Sequence, residues 1–434
     1  MRKFFAFYLV LVLVPLAAVL LGRVPPAQAG FWWAVSMAAG FAGLSMMGAQ
    51  AALTARFRSV ATLCPTDRIY LLHKYAGIAA ALIVLAHPVV LVVDEPERLI
   101  YLNPFEMPGY IVAGQVAVVA VLLLVATSLW RRWMHLSHEA WRAIHDVLAV
   151  LAVVLAVVHV DGVRYYLGSP AKRAVWLTAA VLWIGFVVFT RVIRPWLLSR
   201  HPYRVAGVRR EHGDAWTVSV VPDGHAGLSF LPGQFAWLTI GGSPFGLSDH
   251  PFSFSSSPGQ TDGRLEFTIK ELGDFTRTIG AVQPGTRAFV DGPYGGFTID
   301  RHDAPGYVFI AGGIGIAPML SMLRALADRT DTRPHLLLHA GSRSDRLTGR
   351  EAITAFAATL SLSIVPVLTE PEEGWIGERG YVTPELLARH LPGDRMARHY
   401  FVCGPPAMIR SVRQNLRSLG VPRSQIHSEL FGMF

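Results

Sequence analysis

The chain has 434 residues, room for about two to four domains, of which 52% are apolar and 16% charged, with a net charge of +9. The basic residues sit in short loops between apolar runs, with no basic helix or aromatic-interleaved patch, so membrane topology accounts for the charge and nucleic-acid binding is excluded. The two cysteines, Cys64 and Cys403, fall in different halves and indicate no disulfide framework.

Long apolar runs dominate residues 1–195. The first follows Met1-Arg2-Lys3, covers 4–21 and is succeeded by Ala27-Gln28-Ala29. A signal peptide with an Ala-x-Ala cleavage site and a retained first helix share this pattern; the 18-residue apolar core favours a retained span. Five more spans are expected at about 31–52, 70–93, 109–130, 139–160 and 171–192. One set of loops holds Arg2, Lys3, Arg56, Arg58, Arg68, Arg131, Arg132, Arg191, Arg194 and Arg200. The opposite set holds Arg23, the acidic stretch Asp94-Glu95-Pro96-Glu97-Arg98, Arg164, Lys172 and Arg173. The richer set is expected to face the cytoplasm, which returns the chain inside at Arg194-Pro195 and leaves the soluble half cytoplasmic. The expected location is the cell inner membrane.

Two of these spans carry two histidines each at one spacing. His73 and His87 lie 14 residues apart, and so do His145 and His159. On a helix that interval rises about 21 Å and returns to within roughly 40° of the starting direction. Each pair therefore shares a face, with one histidine near each side of the hydrocarbon core. If the helices are antiparallel neighbours, His73 meets His145 and His87 meets His159. Ionisable groups inside a membrane are costly and mark function. Zinc wants its ligands gathered at one point, whereas these four are spread along two helices, and two stacked bis-histidine sites suit two b-type haems. His135 and His138 have no such partners and are expected to be solvated loop residues. Arg98 and Arg164 fall close to the expected outer haem, as anion-attracting groups or as ordinary loop charges.

From 200 onward the composition is that of a soluble α/β protein. Short alternating segments at 203–209, 216–221 and 235–240, with Gly and Pro between them, predict an antiparallel barrel or sandwich. Within it His250-Pro251-Phe252-Ser253 offers a ring face and hydroxyl and backbone donors suited to a flavin. Lys270 and then Gly273-Asp274-Phe275-Thr276 follow, where a glycine turn and Thr276 suit a pyrophosphate. Further on, a buried strand at 306–310 runs into Ala311-Gly312-Gly313-Ile314-Gly315-Ile316-Ala317-Pro318 and a helix. Glycines between a strand and a helix N-terminus let the backbone approach phosphate. The next strand ends at Gly341-Ser342-Arg343, a hydroxyl and a guanidinium suited to a ribose 2′-phosphate. A third leads into Cys403-Gly404-Pro405. This alternation predicts a doubly wound parallel sheet.

On these motifs in this order, ending at Phe434, the chain resembles the bacterial branch of the ferric reductase and NADPH oxidase superfamily, with a soluble half similar to ferredoxin–NADP reductase. The resemblance implies a six-helix transmembrane haem bundle (1–195), an antiparallel flavin-binding β-barrel (200–302) and an α/β doubly wound nucleotide-binding domain (303–434). It implies FAD at His250, Pro251, Phe252, Ser253, Gly273 and Thr276, and, where His250 replaces the family's usual Arg, leaves Lys270 or Arg277 to help neutralise the pyrophosphate. It implies NADPH or NADH at Gly312, Gly313, Gly315, Pro318, Ser342, Arg343, Cys403, Gly404 and Pro405. Phe434 would stack on the isoalloxazine and yield to nicotinamide, beside Cys403, and the four histidines would ligate two haem b groups.

The function expected is transfer of electrons from cytoplasmic NAD(P)H to a small acceptor outside, either dioxygen, giving superoxide, or a ferric chelate. An alternative is a subunit that feeds a quinone or a partner redox protein, although no motif indicates a protein partner. A non-enzymatic haem-binding protein is disfavoured by the intact flavin and nucleotide motifs.

Overall fold

The computed structural model describes residues 2–20, 30–58 and 66–430, in two compact units, Met1–Pro195 and Trp196–Phe434. Ala27-Gln28-Ala29 and Phe434 lie outside the described residues. The first unit is helical: α1 (Arg2–Leu20), α2 (Phe31–Thr54), α3 (Thr66–Asp94), α4 (Gly109–Leu129), α5 (His138–Val163) and α6 (Pro170–Val188). Among the described residues five helices, α2 to α6, are long and apolar enough to cross a membrane. The first expected span falls on α1, 19 residues from Arg2 to Leu20 with Phe5–Val19 as an apolar stretch.

Local chemistry sets the helix ends. The Ser137 hydroxyl accepts from Ala140 N at 3.1 Å to start α5, and Ser169 accepts from Lys172 N at 3.3 Å to start α6, with Pro170 at its first position. Arg164, at φ 54°, terminates α5 in the left-handed region. Small residues bring the helices close, as in membrane bundles generally. A Cβ on Gly48 would stand 2.1 Å from Trp183, and one on Gly43 would stand 2.5 Å from Val84. The two histidine-bearing helices are the least covered of the five. Their most apolar windows are 17% (α3) and 6% (α5) buried, against 22–33% for the others.

In the second unit, β1 (Tyr203–Glu211), β2 (Ala215–Pro222), β3 (Phe235–Ile240), β4 (His250–Ser253), β5 (Leu265–Lys270) and β6 (Arg287–Tyr294) form an antiparallel sheet in the order β4-β3-β6-β1-β2-β5. A bridge between Phe254 and Phe267 joins its two edges and closes the barrel. Alternate inward residues, among them Val205, Val218, Val220, Leu238, Phe254 and Phe267, fill it.

A parallel sheet follows: β7 (Tyr307–Gly312), β8 (His335–Gly341), β9 (Leu362–Leu368), β10 (Glu378–Arg379), β11 (His399–Gly404) and β12 (Ile426–Leu430), ordered β10-β9-β8-β7-β11-β12. Helices Ile316–Asp328 and Arg350–Thr359 cover one face, burying Phe309, Leu323, Leu337 and Phe401; Pro384–His390 and Pro406–Ser418 cover the other. The chain winds away from β7 in one direction and returns beside it as β11, so the switch point lies between the ends of β7 and β11.

Candidate functional site

In the helical unit the four histidines meet in two pairs. The rings of His73 and His145 have centres 6.2 Å apart, and those of His87 and His159 are 6.4 Å apart. An imidazole nitrogen lies about 1.1 Å from its ring centre and a metal–nitrogen bond is about 2.0 Å, so two imidazoles on opposite sides of one metal have centres roughly 6 Å apart. Both pairs have that spacing. Three of the four rings are held from behind. His87 Nδ1 lies 2.9 Å from Ser36 O and 2.9 Å from Ser36 Oγ, while the Ser36 hydroxyl also donates to His87 O at 2.7 Å. His159 Nδ1 lies 3.0 Å from Tyr110 O, and His145 Nδ1 lies 3.3 Å from Ser128 Oγ. A Nδ1–H that donates to a carbonyl leaves the Nε2 lone pair for a metal, the usual support of a histidine ligand. His73 Nδ1 is buried and, among the described residues, makes no such hydrogen bond.

Glycines make room for the two histidines of the second pair. A Cβ on Gly40 would lie 3.2 Å from His87 Nδ1, and one on Gly114 would lie 2.8 Å from His159 Nδ1. Paired rings at this separation, with fixed backs and uncovered apolar helix surface around them, fit a haem at each level. His138 is tied to Arg131 at 3.1 Å and His135 ends the loop at φ 50°, so neither joins a pair. Arg98 is paired with Glu95 at 2.6 Å and Asp94 at 3.5 Å.

In the barrel, His250 stacks on Phe275 with ring centres 4.2 Å apart and an angle of 17°, and Phe252 lies beyond at 6.2 Å from Phe275. Pro251 stands opposite Trp237 across β3 and β4. Ser253 is 4% exposed, and its Oγ is buried without a hydrogen-bond partner. An orphaned buried hydroxyl at the end of this aromatic row fits a flavin, which would supply the missing acceptor. The serines that follow are otherwise engaged: Ser255 Oγ accepts from Thr268, and Ser256 Oγ accepts from Glu266 N. Thr276 is engaged too. Its hydroxyl accepts from Leu272 N and Gly273 N, both at 2.8 Å, and donates to Gly273 O at 3.0 Å. The turn expected to hold a pyrophosphate therefore uses Thr276 to close itself. Lys270 ends β5, opposite Ala215.

In the parallel sheet the expected nucleotide residues gather at the switch point. A Cβ on Gly312 would lie 2.3 Å from Met408 Sδ and 3.0 Å from Pro405 Cδ; one on Gly315 would lie 2.3 Å from Cys403 O. Gly404, at φ 157°, abuts Gly312 N. These glycines let the ends of β7 and β11 meet backbone to backbone. Gly313 differs: it has φ 54° and nothing within 4 Å of a Cβ, so it borders open space. Pro318 is buried in the first turn of Ile316–Asp328. Cys403 is fully buried between β7 and β12, and burial together with the Glu429 carboxylate pushes its thiol well above its usual range. It is a small packed side chain, protonated at neutral pH. Ser342 O accepts from Glu370 N, and the exposed Arg343 lies 3.5 Å from Asp345, with Glu372 also within its field.

A family model for the ferric reductase like transmembrane component matches residues 39–156, and one for the oxidoreductase NAD-binding domain matches 309–414. The chain is similar to NADH-cytochrome b5 reductase 1 of Candida albicans, 30% identical over 277 residues that cover 60% of this chain and 93% of that protein. It is 29% identical over 210 residues to the toluate 1,2-dioxygenase electron transfer component of Pseudomonas putida, covering 47% of this chain and 59% of that protein's length. Among solved structures, the ferredoxin reductase in carbazole 1,9a-dioxygenase is 25% identical with a TM-score of 0.48, covering 54% of this chain and 69% of that one. Fold, site and relatives define an NAD(P)H-dependent oxidoreductase: an FAD- and NAD(P)H-binding flavoprotein with transmembrane helices, whose work is electron transfer. The chain belongs to the ferric reductase and NADPH oxidase superfamily.

Proposed function

We propose that this chain carries electrons from cytoplasmic NAD(P)H, by way of FAD and two b-type haems, across the cell inner membrane to a small acceptor on the other side, either dioxygen or a ferric chelate. With dioxygen the balance is NAD(P)H + 2 O2 giving NAD(P)+, H+ and two superoxide ions. The observation that carries the reading is the pairing of His73 with His145 and His87 with His159 at 6.2 and 6.4 Å. Bound FAD would supply the change from two-electron to one-electron transfer, and bound haems the one-electron path.

The chain's own part is positional. His73 and His145 would hold the haem nearer the cytoplasm, and His87 and His159 the farther one. Ser36, Tyr110 and Ser128 fix ring orientation behind three of these four ligands. Ser253 would donate to the flavin, and Phe252 and the His250–Phe275 stack would flank it. Gly313 would admit a phosphate-bearing nucleotide beside the helix N-terminus. Arg343 at the end of β8 would receive a ribose 2′-phosphate and favour NADPH, and Phe434 would cover the isoalloxazine until nicotinamide arrives.

The test is anaerobic reduction of the purified, FAD-loaded chain by NADPH, followed by visible spectroscopy and addition of acceptors. The expected result is a growing b-type haem band. Reoxidation by air with superoxide release selects dioxygen; fast reoxidation by ferric citrate with slow reoxidation by air selects the chelate. Absence of any haem band refutes the proposal.

A further inference from the structure

A third histidine cluster lies in the second unit, apart from every residue used above. His302 follows the turn Ile299–Arg301, His399 opens β11, and His427 lies in β12. One nitrogen from each ring can be chosen so that all three lie within 4.8 Å of one another. His399 Nδ1 and His427 Nε2 are 2.8 Å apart, and the His302 ring lies 3.8 Å from that of His427 and 4.7 Å from that of His399. Strand register accounts for the approach. His427 stands opposite Phe401, so His399 is its diagonal neighbour on the adjoining strand, within reach of a ring side chain. Phe401 floors the group, 5.0 Å from the His427 ring and 6.0 Å from that of His302.

Three imidazoles from three segments present three nitrogens and no carboxylate. Burial lowers all three, taking His427 down to about 3, so the rings are neutral and keep lone pairs at physiological pH. Neutral imidazole is the ligand that zinc, copper and nickel prefer.

We propose that His302, His399 and His427 form a tri-histidine site for a divalent transition-metal ion, with Zn2+ as its probe and water in the fourth position. Zinc–nitrogen bonds of about 2.0–2.1 Å place tetrahedral ligand atoms about 3.4 Å apart. The widest separation must therefore close by at most about 1.4 Å and the 2.8 Å pair must open by about 0.6 Å, adjustments within the broad χ2 of histidine. β12 is an edge strand held along one side by β11. Metal at this site would tie it also to the segment at His302, and binding to the folded chain alone raises stability.

The experiment uses the untagged full chain in detergent, stripped with EDTA, exposed to micromolar free Zn2+ and gel-filtered, with zinc counted by mass spectrometry. Wild type is expected to retain one zinc per chain more than His302→Ala and His427→Ala, with at least tenfold tighter binding in competition with a chromophoric chelator. Its unfolding midpoint is expected to rise with zinc while those of the variants stay put. His302→Phe keeps a stacked ring without a ligand, so it separates loss of metal from loss of packing and should also lose the zinc. Equal zinc in wild type and His302→Phe, or none in wild type, overturns the proposal and leaves the cluster as packed rings.

Discussion

Gly114→Ala tests the histidine sites without touching a ligand. A Cβ there would lie 2.8 Å from His159 Nδ1 and 2.9 Å from its Cγ, so the ring must yield by about 0.6 Å to reach ordinary contact near 3.4 Å. The atom displaced is the one that meets Tyr110 O at 3.0 Å. Losing such a bond costs about 0.5–1.5 kcal/mol, and losing a partner behind a metal ligand typically weakens metal binding about 10–100-fold. Gly114→Ala is therefore expected to hold one haem firmly and the second 10–100-fold more weakly, read as haem per chain by pyridine haemochrome after dilution. Gly40→Ala, at 3.2 Å from His87 Nδ1, should show a smaller loss, and Gly77→Ala, with nothing within 4 Å, should show none. NADPH-driven reduction of a soluble dye by the flavin should be unchanged in all three. Two tightly held haems in Gly114→Ala, with an unshifted spectrum, would refute the proposed ligation at His159.

Ser253→Ala removes the buried hydroxyl that lacks a partner, and FAD retention after gel filtration should fall about 3–10-fold, one hydrogen bond's worth; unchanged retention would place the flavin elsewhere. Gly315→Ala drives a methyl to 2.3 Å from Cys403 O, where backbone must move, and should lower stability by about 1–3 kcal/mol in thermal unfolding of the flavin-loaded chain. A change confined to nucleotide affinity would show that Gly315 serves phosphate rather than strand packing. Acid should also destabilise the parallel sheet. His335 and His339 on β8 are buried and held down to about 4, so between pH 6.5 and 4 the unfolded chain takes up protons that the folded one refuses. Stability from this source is full above 6.5 and falls as pH drops, by up to about 1.4 kcal/mol per unit per group. His339→Leu should flatten the pH dependence of the denaturation midpoint; an identical slope would remove His339 as its cause.

How much was legible followed from whether the signal was local to one helix or strand. The 14-residue spacing survives folding because helix geometry alone carries it, so two histidine pairs were readable from the sequence. Their supports were not. Ser36 lies 51 residues from His87 and Tyr110 lies 49 from His159, and what Tyr110 contributes is a carbonyl that every residue has. The glycine-rich loop reads as a phosphate cradle, but Met408 and Pro405 exclude a Cβ at Gly312 and the backbone of β11 excludes one at Gly315, while Gly313 borders open space. Thr276, Ser255 and Ser256 carry the residue types a cofactor needs, yet their hydroxyls are satisfied within the protein. A residue type shows what a side chain can do, and the pairing around it decides whether that capacity is left over for a ligand. By that measure Ser253 keeps a hydroxyl without a partner and Gly313 keeps open space beside it. The trio His302, His399 and His427, joined by no spacing, was invisible until the strand register placed His399 and His427 side by side and the turn at Ile299–Arg301 delivered His302 to them.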